Sequence, residues 1–238
     1  MLGLLSVLCT MGAFANAAEE TWEVLGIHDE KQLIAYKKTY REQDEEGNPA
    51  MDCGHPDVPP GQGVQLGLWS VSEGKTIQQW EIYRSLIDYH AGKNKKGCMT
   101  FAQATEALTK AKESYSLLGI DITTKPSGIA PNSNGVFAIP DKAGKSHNFS
   151  LVIFEDLPIP GEEGGGGYLL KRWIRNAQSE VVYSLELTGV KIMASTLSVY
   201  FPAAYRIGDQ VVFLEKTESF SMRHNKTTFR FTPPIEIK

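Results

Sequence analysis

The chain is poor in cysteine. Three stand among 238 residues, Cys9, Cys53 and Cys98, too few for a disulfide-dense scaffold. A basic excess is missing as well. Lys plus Arg is 24 against 28 for Asp plus Glu, a net charge of −4, with a pI near 5.8. Proteins that hold phosphate backbones usually carry the opposite balance, so nucleic acid is disfavoured as a partner. No apolar run reaches the ~20 residues that a membrane-spanning helix needs. Gly-x-Ser-x-Gly, His-Glu-x-x-His, Cys-x-x-Cys and the Walker loop are all absent, so the sequence names no reaction and no cofactor is expected. What is present is ordinary for a globular protein: 42% apolar, 22% charged and 10% aromatic residues, which excludes wholesale disorder and fibrous repeats.

Charge is also missing from residues 1–18. Leu2 to Ala13 is apolar and small, and Ala15-Asn16-Ala17 places small residues at −3 and −1 of a cleavage point after Ala17. This pattern predicts a signal peptide over 1–17, a periplasmic or secreted protein, and no transmembrane segment after cleavage. No Lys or Arg precedes the run, so either translation starts upstream of Met1 or the signal is atypical. An uncleaved anchor and a buried helix are the alternatives. Leu8 before Cys9 does not fit a lipobox. Cleavage removes Cys9 and leaves Cys53 and Cys98, whose default in an oxidising compartment is a disulfide. Closing that loop gives about 4 kcal/mol in the chain-entropy model. Two separate buried thiols are the other possibility.

Trp22 to Tyr40 reads as a hairpin around the polar turn His28-Asp29-Glu30-Lys31. Residues 43–63 hold Pro49, Pro56, Pro59, Pro60 and glycines, and read as a loop anchored by Cys53. Val64–Val71 and Thr76–Tyr83 are strands around Ser72-Glu73-Gly74-Lys75, with Trp80 breaking strict alternation. These residues, from Leu66-Gly67-Leu68-Trp69-Ser70-Val71 through Ile82, resemble the two outer strands of a blade in WD-repeat and Tol-type β-propellers. The hairpin at 22–40 would supply the inner strands. The resemblance covers 22–83 and lacks a Trp-Asp dipeptide at the blade's end. It implies a β-meander with a binding surface and no catalytic residue.

Residues 99–118 predict the one helix. Thr100 and Gln103 form a capping box. Ala104, Leu108, Ala111, Tyr115 and Leu118 fall within an arc of about 80°, and Gly119 suits the C-terminal cap. Such a helix lies on a sheet and covers the face that a propeller blade would offer its neighbour. Thr123 to Asn134 is rich in turn formers, with 125–134 as the linker. Beyond it, strands are expected at Asn148–Glu155, Tyr168–Arg175, Val181–Leu187, Thr196–Phe201, Gln210–Lys216 and Thr227–Phe231. The segment Gly26–Lys38 loosely parallels Arg206–Lys216, each a polar turn leading into an apolar strand and then charges. The expected fold is mainly β. It has two antiparallel β units, a blade-like meander plus helix over 18–124 and a β-rich half over 135–238.

Near misses in the chemistry are judged on physics. Ser72-x-x-Lys75 sits in a hairpin turn, where a helix start would be needed. Gly61-Gln62-Gly63 with Gly67 precedes a strand, so no helix N-terminus can hold a pyrophosphate. Gly164–Gly167 has no adjacent Lys-Ser or Lys-Thr. Asp44, Glu46 and Asn48 take EF-hand-like spacing, but Pro49 replaces the required Gly and His55 the bidentate Glu; a solvated acidic turn is favoured over a calcium loop. Cys53, His55 and Asp57 alternate, yet zinc wants four ligands, or three plus water, so a disulfide beside a surface His is preferred. The Lys93–Lys96 basic run reads as a solvated loop, with anionic lipid as the alternative. Trp69, Trp80, Tyr83 and Tyr89 read as core.

The leading expectation is a non-enzymatic periplasmic or secreted protein that binds an envelope protein or ligand of unknown identity. Its contact residues would lie in the loops 43–63 and 156–167, with His55, Asp57, Glu162 and Glu163 as candidates. The alternatives are an envelope hydrolase with a dispersed site, testable first at Glu155, Asp156, His147 and His55, and an anchored structural component of the envelope.

Overall fold

A computed structural model describes residues 17–18, 20–41, 62–84, 99–158, 168–189, 196–220 and 225–237. In chain order the elements are β1 (Ala17–Ala18), β2 (Glu20–His28), β3 (Leu33–Arg41), β4 (Gln62–Ser70), β5 (Lys75–Arg84), α1 (Phe101–Leu118), β6 (Val136–Pro140), β7 (Ser146–Pro158), β8 (Tyr168–Arg175), β9 (Val181–Gly189), β10 (Thr196–Ile207), β11 (Gln210–Phe220), β12 (Asn225–Phe231) and β13 (Ile235–Glu236). The protein is mainly β, with three antiparallel sheets and one helix among the described residues. The expected cleavage point after Ala17 falls within β1, which pairs in parallel with Asn225 and Lys226. The expected disulfide Cys53–Cys98 and residues 43–61 of the expected loop 43–63 lie outside the described residues. Gln62 and Gly63, expected to end that loop, instead open β4 by pairing with Arg41 and Tyr40.

The first sheet is the expected meander, in the order β2-β3-β4-β5. Its register explains two glycines that a dinucleotide motif does not. Tyr36 pairs with Gly67, and Tyr40 with Gly63. Each tyrosine lies flat across its glycine to a polar side chain on β5: the Tyr36 hydroxyl is 2.9 Å from Thr76 Oγ1, and the Tyr40 hydroxyl donates to Glu81. A side chain at either glycine would collide with the ring, the usual reason for glycine inside a strand. The irregular alternation around Trp80 comes from two bulges between β4 and β5, where Ile77 and Ile82 are the extra residues. Bulges twist an edge strand away from further pairing.

The helix follows its sequence signals. Thr100 Oγ1 accepts the Gln103 amide while Gln103 Oε1 accepts the Thr100 amide, and Gly119 caps the end at φ 74°. Ala104, Ala111 and Tyr115 are buried. Ala111 and Tyr115 pack with Leu33, Ala35, Leu66 and Leu68 on one face of the first sheet. Tyr115 donates to the Gly67 carbonyl at 3.0 Å. Burial, and then the neighbouring Tyr36, push its hydroxyl well above the ordinary tyrosine range.

The β-rich half contributes two sheets, β6-β7-β8-β9 and β10-β11-β12, the latter extended by β1 and β13. β11 alternates between two cores. Val211 and Phe213 face the β6–β9 sheet with Phe137, Ile139, Phe149 and Ile174. Val212 and Leu214 face the first sheet with Ile34, Tyr36, Trp69 and Val71. The β10–β12 sheet is therefore a middle layer buried on both sides, and the stack runs α1, first sheet, middle sheet, β6–β9 sheet. Phe213 is fully buried and meets Phe137, Phe149 and Phe201 edge-to-face at centroid distances of 5.0, 5.8 and 6.2 Å. The two hairpins that share a sequence pattern, 26–38 and 206–216, stack face to face. Their turns are tied by Gln32 Nε2 donating to Gln210 Oε1 at 3.2 Å.

Candidate functional site

One turn design recurs three times in the second half. Asn132, Asp141 and Asn176 each accept, through a single side-chain oxygen, the amides two and four residues ahead. In each, the residue three ahead donates its amide to the first carbonyl. That residue takes positive φ: Gly135 at 72°, Gly144 at 81° and Ser179 at 65°. Asn and Asp suit this role because a short side-chain oxygen mimics a backbone acceptor. The Asp141 turn joins β6 to β7 and the Asn176 turn joins β8 to β9.

These two turns flank a groove of about 660 Å³. Its walls are Lys145–Phe149, the turn Asn176–Gln178 and the segment Pro234–Glu236, and Phe149, Val182 and Ile235 contribute apolar side chains. Phe149 and Ile235 belong to the core beneath, with Val182 packed against it. The groove is thus an opening at the rim of the core, of the size and mixed character of ligand sites.

His147 lines this groove and meets Asp141, which stands behind it in the β6–β7 turn. Imidazole Nε2 stands 3.1 Å from Asp141 Oδ2, and both side chains are largely buried, 13% and 28% exposed. Asp141 accepts from His147, Lys145 and Ala143, and these hydrogen bonds hold its carboxyl below the usual carboxylate range. A carboxylate on one ring nitrogen fixes the tautomer and leaves the other nitrogen as an acceptor.

The backbone of β7 adds a second feature. Asp141 N donates to Lys145 O at 2.8 Å, and Leu151 N to Gly135 O at 3.2 Å. Antiparallel ladders alternate, so His147 and Phe149, paired with Ile139 and Phe137, turn their N–H and C=O toward β6. Ser146 and Asn148 turn theirs the opposite way. β8 would cover that edge, but its pairing with β7 stops at Ser150 and Arg175, and the chain turns away through Asn176. Among the described residues no hydrogen bond is made by the groove-facing N–H and C=O of Ser146 and Asn148.

Of the residues singled out from the sequence, His147 is the one the structure brings into this site. Glu155 and Asp156 lie on β7 opposite Lys171 and Leu170. His28 accepts the Lys31 amide at 3.3 Å and caps its turn. Cys53, Cys98, Asp44, Glu46, Asn48, His55, Asp57, Glu162 and Glu163 lie outside the described residues. Among the described residues, no three His, Cys, Asp or Glu side chains cluster as a metal site, and no helix is long and apolar enough to cross a membrane. Sequence reasoning missed Asp141, although Asp141-x-x-Gly144 repeats the Asn132-x-x-Gly135 pattern nine residues earlier. No family model, curated protein or solved structure matches the chain.

Proposed function

We propose that the chain is a non-enzymatic binding protein of the periplasm or extracellular space, and that the groove beside Ser146–Asn148 is where its partner docks. The observation that carries this reading is the groove itself: an apolar floor, a rim of polar groups, and rigid hairpins on either side. Rigid elements carrying a shaped opening are the usual basis of recognition. The uncharged run at 1–18 supports export. The blade-like reading of 22–83 belongs to the same proposal, since β2–β5 form a four-stranded meander in chain order, as a propeller blade does, within a sheet that is open.

Two measurements test this. The intact mass of the exported protein should start at Ala18 and rise by two hydrogens on reduction; a full-length mass with free thiols removes the support for export. A photo-crosslinker at Gln178 on the groove wall should give a discrete adduct in the native compartment, with none from a crosslinker at Glu106 on α1. Equal labelling at both positions would reject the groove as the docking site. The Asp141–His147 pair favours a second reading, a hydrolase. Turnover of an ester, glycoside or peptide that His147→Ala abolishes would establish it in place of the first.

A further inference from the structure

We infer that the groove takes an extended polypeptide segment of a partner, added as a strand to the open edge of β7. This rests on the docking role proposed above and names its ligand class. The argument is one of complementarity between backbone groups. Ser146 and Asn148 present two N–H and two C=O groups in one line, at the spacing of a strand, along an edge that faces the groove. The β7–β8 ladder ends at Ser150 and Arg175, so an added strand continues a ladder that already exists. Main-chain hydrogen bonds then supply affinity, and pockets for alternate side chains supply specificity.

The register fixes the sequence character of the segment. In an antiparallel pair, residues opposite one another share a face. Asn176 already stands opposite Phe149, so the peptide residue on the core side is the one opposite His147, which points toward Phe149, Val182 and Ile235. Residues opposite Ser146 and Asn148 share the outer face, where both side chains are exposed. The preferred segment therefore alternates polar and apolar residues. The Asn176–Gln178 turn stands where β8 would have continued and stops the segment at that end. Antiparallel to β7, the segment runs in the direction of β8, so its N-terminal end abuts this turn.

The test uses the full chain and a pool of acetylated, amidated hexapeptides in which Thr alternates with Val, Ile or Leu. The pool should slow hydrogen exchange of the Ser146 and Asn148 amides at least tenfold, with no slowing at His147 or Phe149 beyond their starting protection. Peptides N-methylated at the residues that pair with Ser146 and Asn148 should bind at least tenfold more weakly, because the hydrogen bonds are blocked on the ligand side. Asn148→Pro removes one groove-facing N–H and leaves the β6 ladder intact, and Val182→Asp spoils the apolar floor; each should weaken binding to a similar degree. The N-methyl arm needs no variant to fold. Unchanged exchange at Ser146 and Asn148, or equal affinity of methylated and unmethylated peptides, overturns the strand reading. If Gln178 still crosslinks a partner while the peptides fail, the docking role stands and strand addition falls. If neither occurs, both fall.

Discussion

The ring of Tyr36 lies across Gly67 on the neighbouring strand, so close that a Cβ added to the glycine would sit 2.2 Å from the ring's Cζ. The other face of the ring is stacked on Trp22, with centroids 4.3 Å apart and planes within 1°. Tyr36 is thus clamped, and its hydroxyl is carried over β4 to Thr76. Gly67→Ala must break this arrangement and should cost about 2 kcal/mol, in the range for overpacking a dense core. Gly74→Ala is the comparison. Nothing lies within 4 Å of its added Cβ, and only the φ of 62° opposes the change, so about 1 kcal/mol is expected. Urea unfolding of both variants checks the order; a smaller loss at Gly67 would mean that the ring can move aside freely.

Arg230 on β12 and Glu215 on β11 form a charge pair of the middle sheet in which the carboxylate is buried and the guanidinium half-exposed. Arg230 Nε donates to Glu215 Oε1 at 2.7 Å and Nη2 to Oε2 at 3.2 Å. Tyr183 on β9 donates to Oε2 at 2.9 Å, which joins the middle sheet to the β6–β9 sheet. Glu215 is 2% exposed and the Arg230 side chain 47%. Burial, then the Glu215 charge, push the Tyr183 hydroxyl above its ordinary range, so Tyr183 stays a donor at all working pH. Removing a partner from a buried carboxylate costs ~3–5 kcal/mol. Arg230 is half in water, so Arg230→Ala should cost about 2 kcal/mol. Glu215→Gln keeps one acceptor oxygen but turns an NH2 donor toward the Arg230 and Tyr183 donors at a buried site, so it should cost at least as much. A double-mutant cycle by thermal unfolding measures the coupling, and additive losses would show that the pair contributes nothing as a pair.

The helix was legible because its signals are local. The capping box, the apolar stripe and Gly119 all lie within residues 100–119, and α1 begins and ends within two residues of the expected bounds. β8 matched its expected bounds for a similar reason, since flanking glycines and Asn176 punctuate it. β10 runs on to Ile207 where Phe201 was expected to end it, because a bulge between Tyr200 and Ala203 absorbs Pro202. β6 has only five residues and ends in Pro140, too short for periodicity to register. The groove was illegible because residues near 147, 177 and 235 meet only through the sheet stacking. Asp141 was the nearest to readable: its turn pattern is local, but its bond to His147 depends on β6 and β7 pairing.

The three Asx turns allow an internal comparison. Asn132 and Asn176 do with an amide oxygen what Asp141 does with a carboxylate, and only the Asp141 turn carries glycine at the positive-φ position together with a histidine partner. At the Asn176 turn that position is Ser179, with φ of 65°. Ser179→Gly relieves left-handed strain of about 1 kcal/mol, offset in part by a more flexible unfolded chain. The net gain should be about 0.5 kcal/mol. Asn176→Ala loses both amide bonds and should cost about 1 kcal/mol. Opposite signs for these two substitutions in urea unfolding are the expected result, and loss in both would mean that Ser179 is not strained.

Asp141 makes folding stability depend on acid. Its carboxyl is held below the usual carboxylate range by bonds from His147, Lys145 and Ala143. A depressed folded pKa means that the unfolded chain takes up the proton first as pH falls. The stabilisation is therefore complete above the unfolded carboxylate pKa, near pH 4, and is lost as pH drops through the lower folded value. It has no counterpart on the alkaline side. Asp141→Asn keeps the oxygen that accepts the turn amides, as Asn132 and Asn176 show, and removes the titrating group. The difference in unfolding free energy between wild type and Asp141→Asn should be flat from pH 5 to 7, then fall below pH 4 as the wild type loses its advantage. His147→Ala should shift the acid limb of that curve upward in pH, because it removes the bond that lowers the Asp141 pKa most. A curve for Asp141→Asn that falls in parallel with the wild type would assign the acid sensitivity to other carboxylates and reduce Asp141 to a turn former.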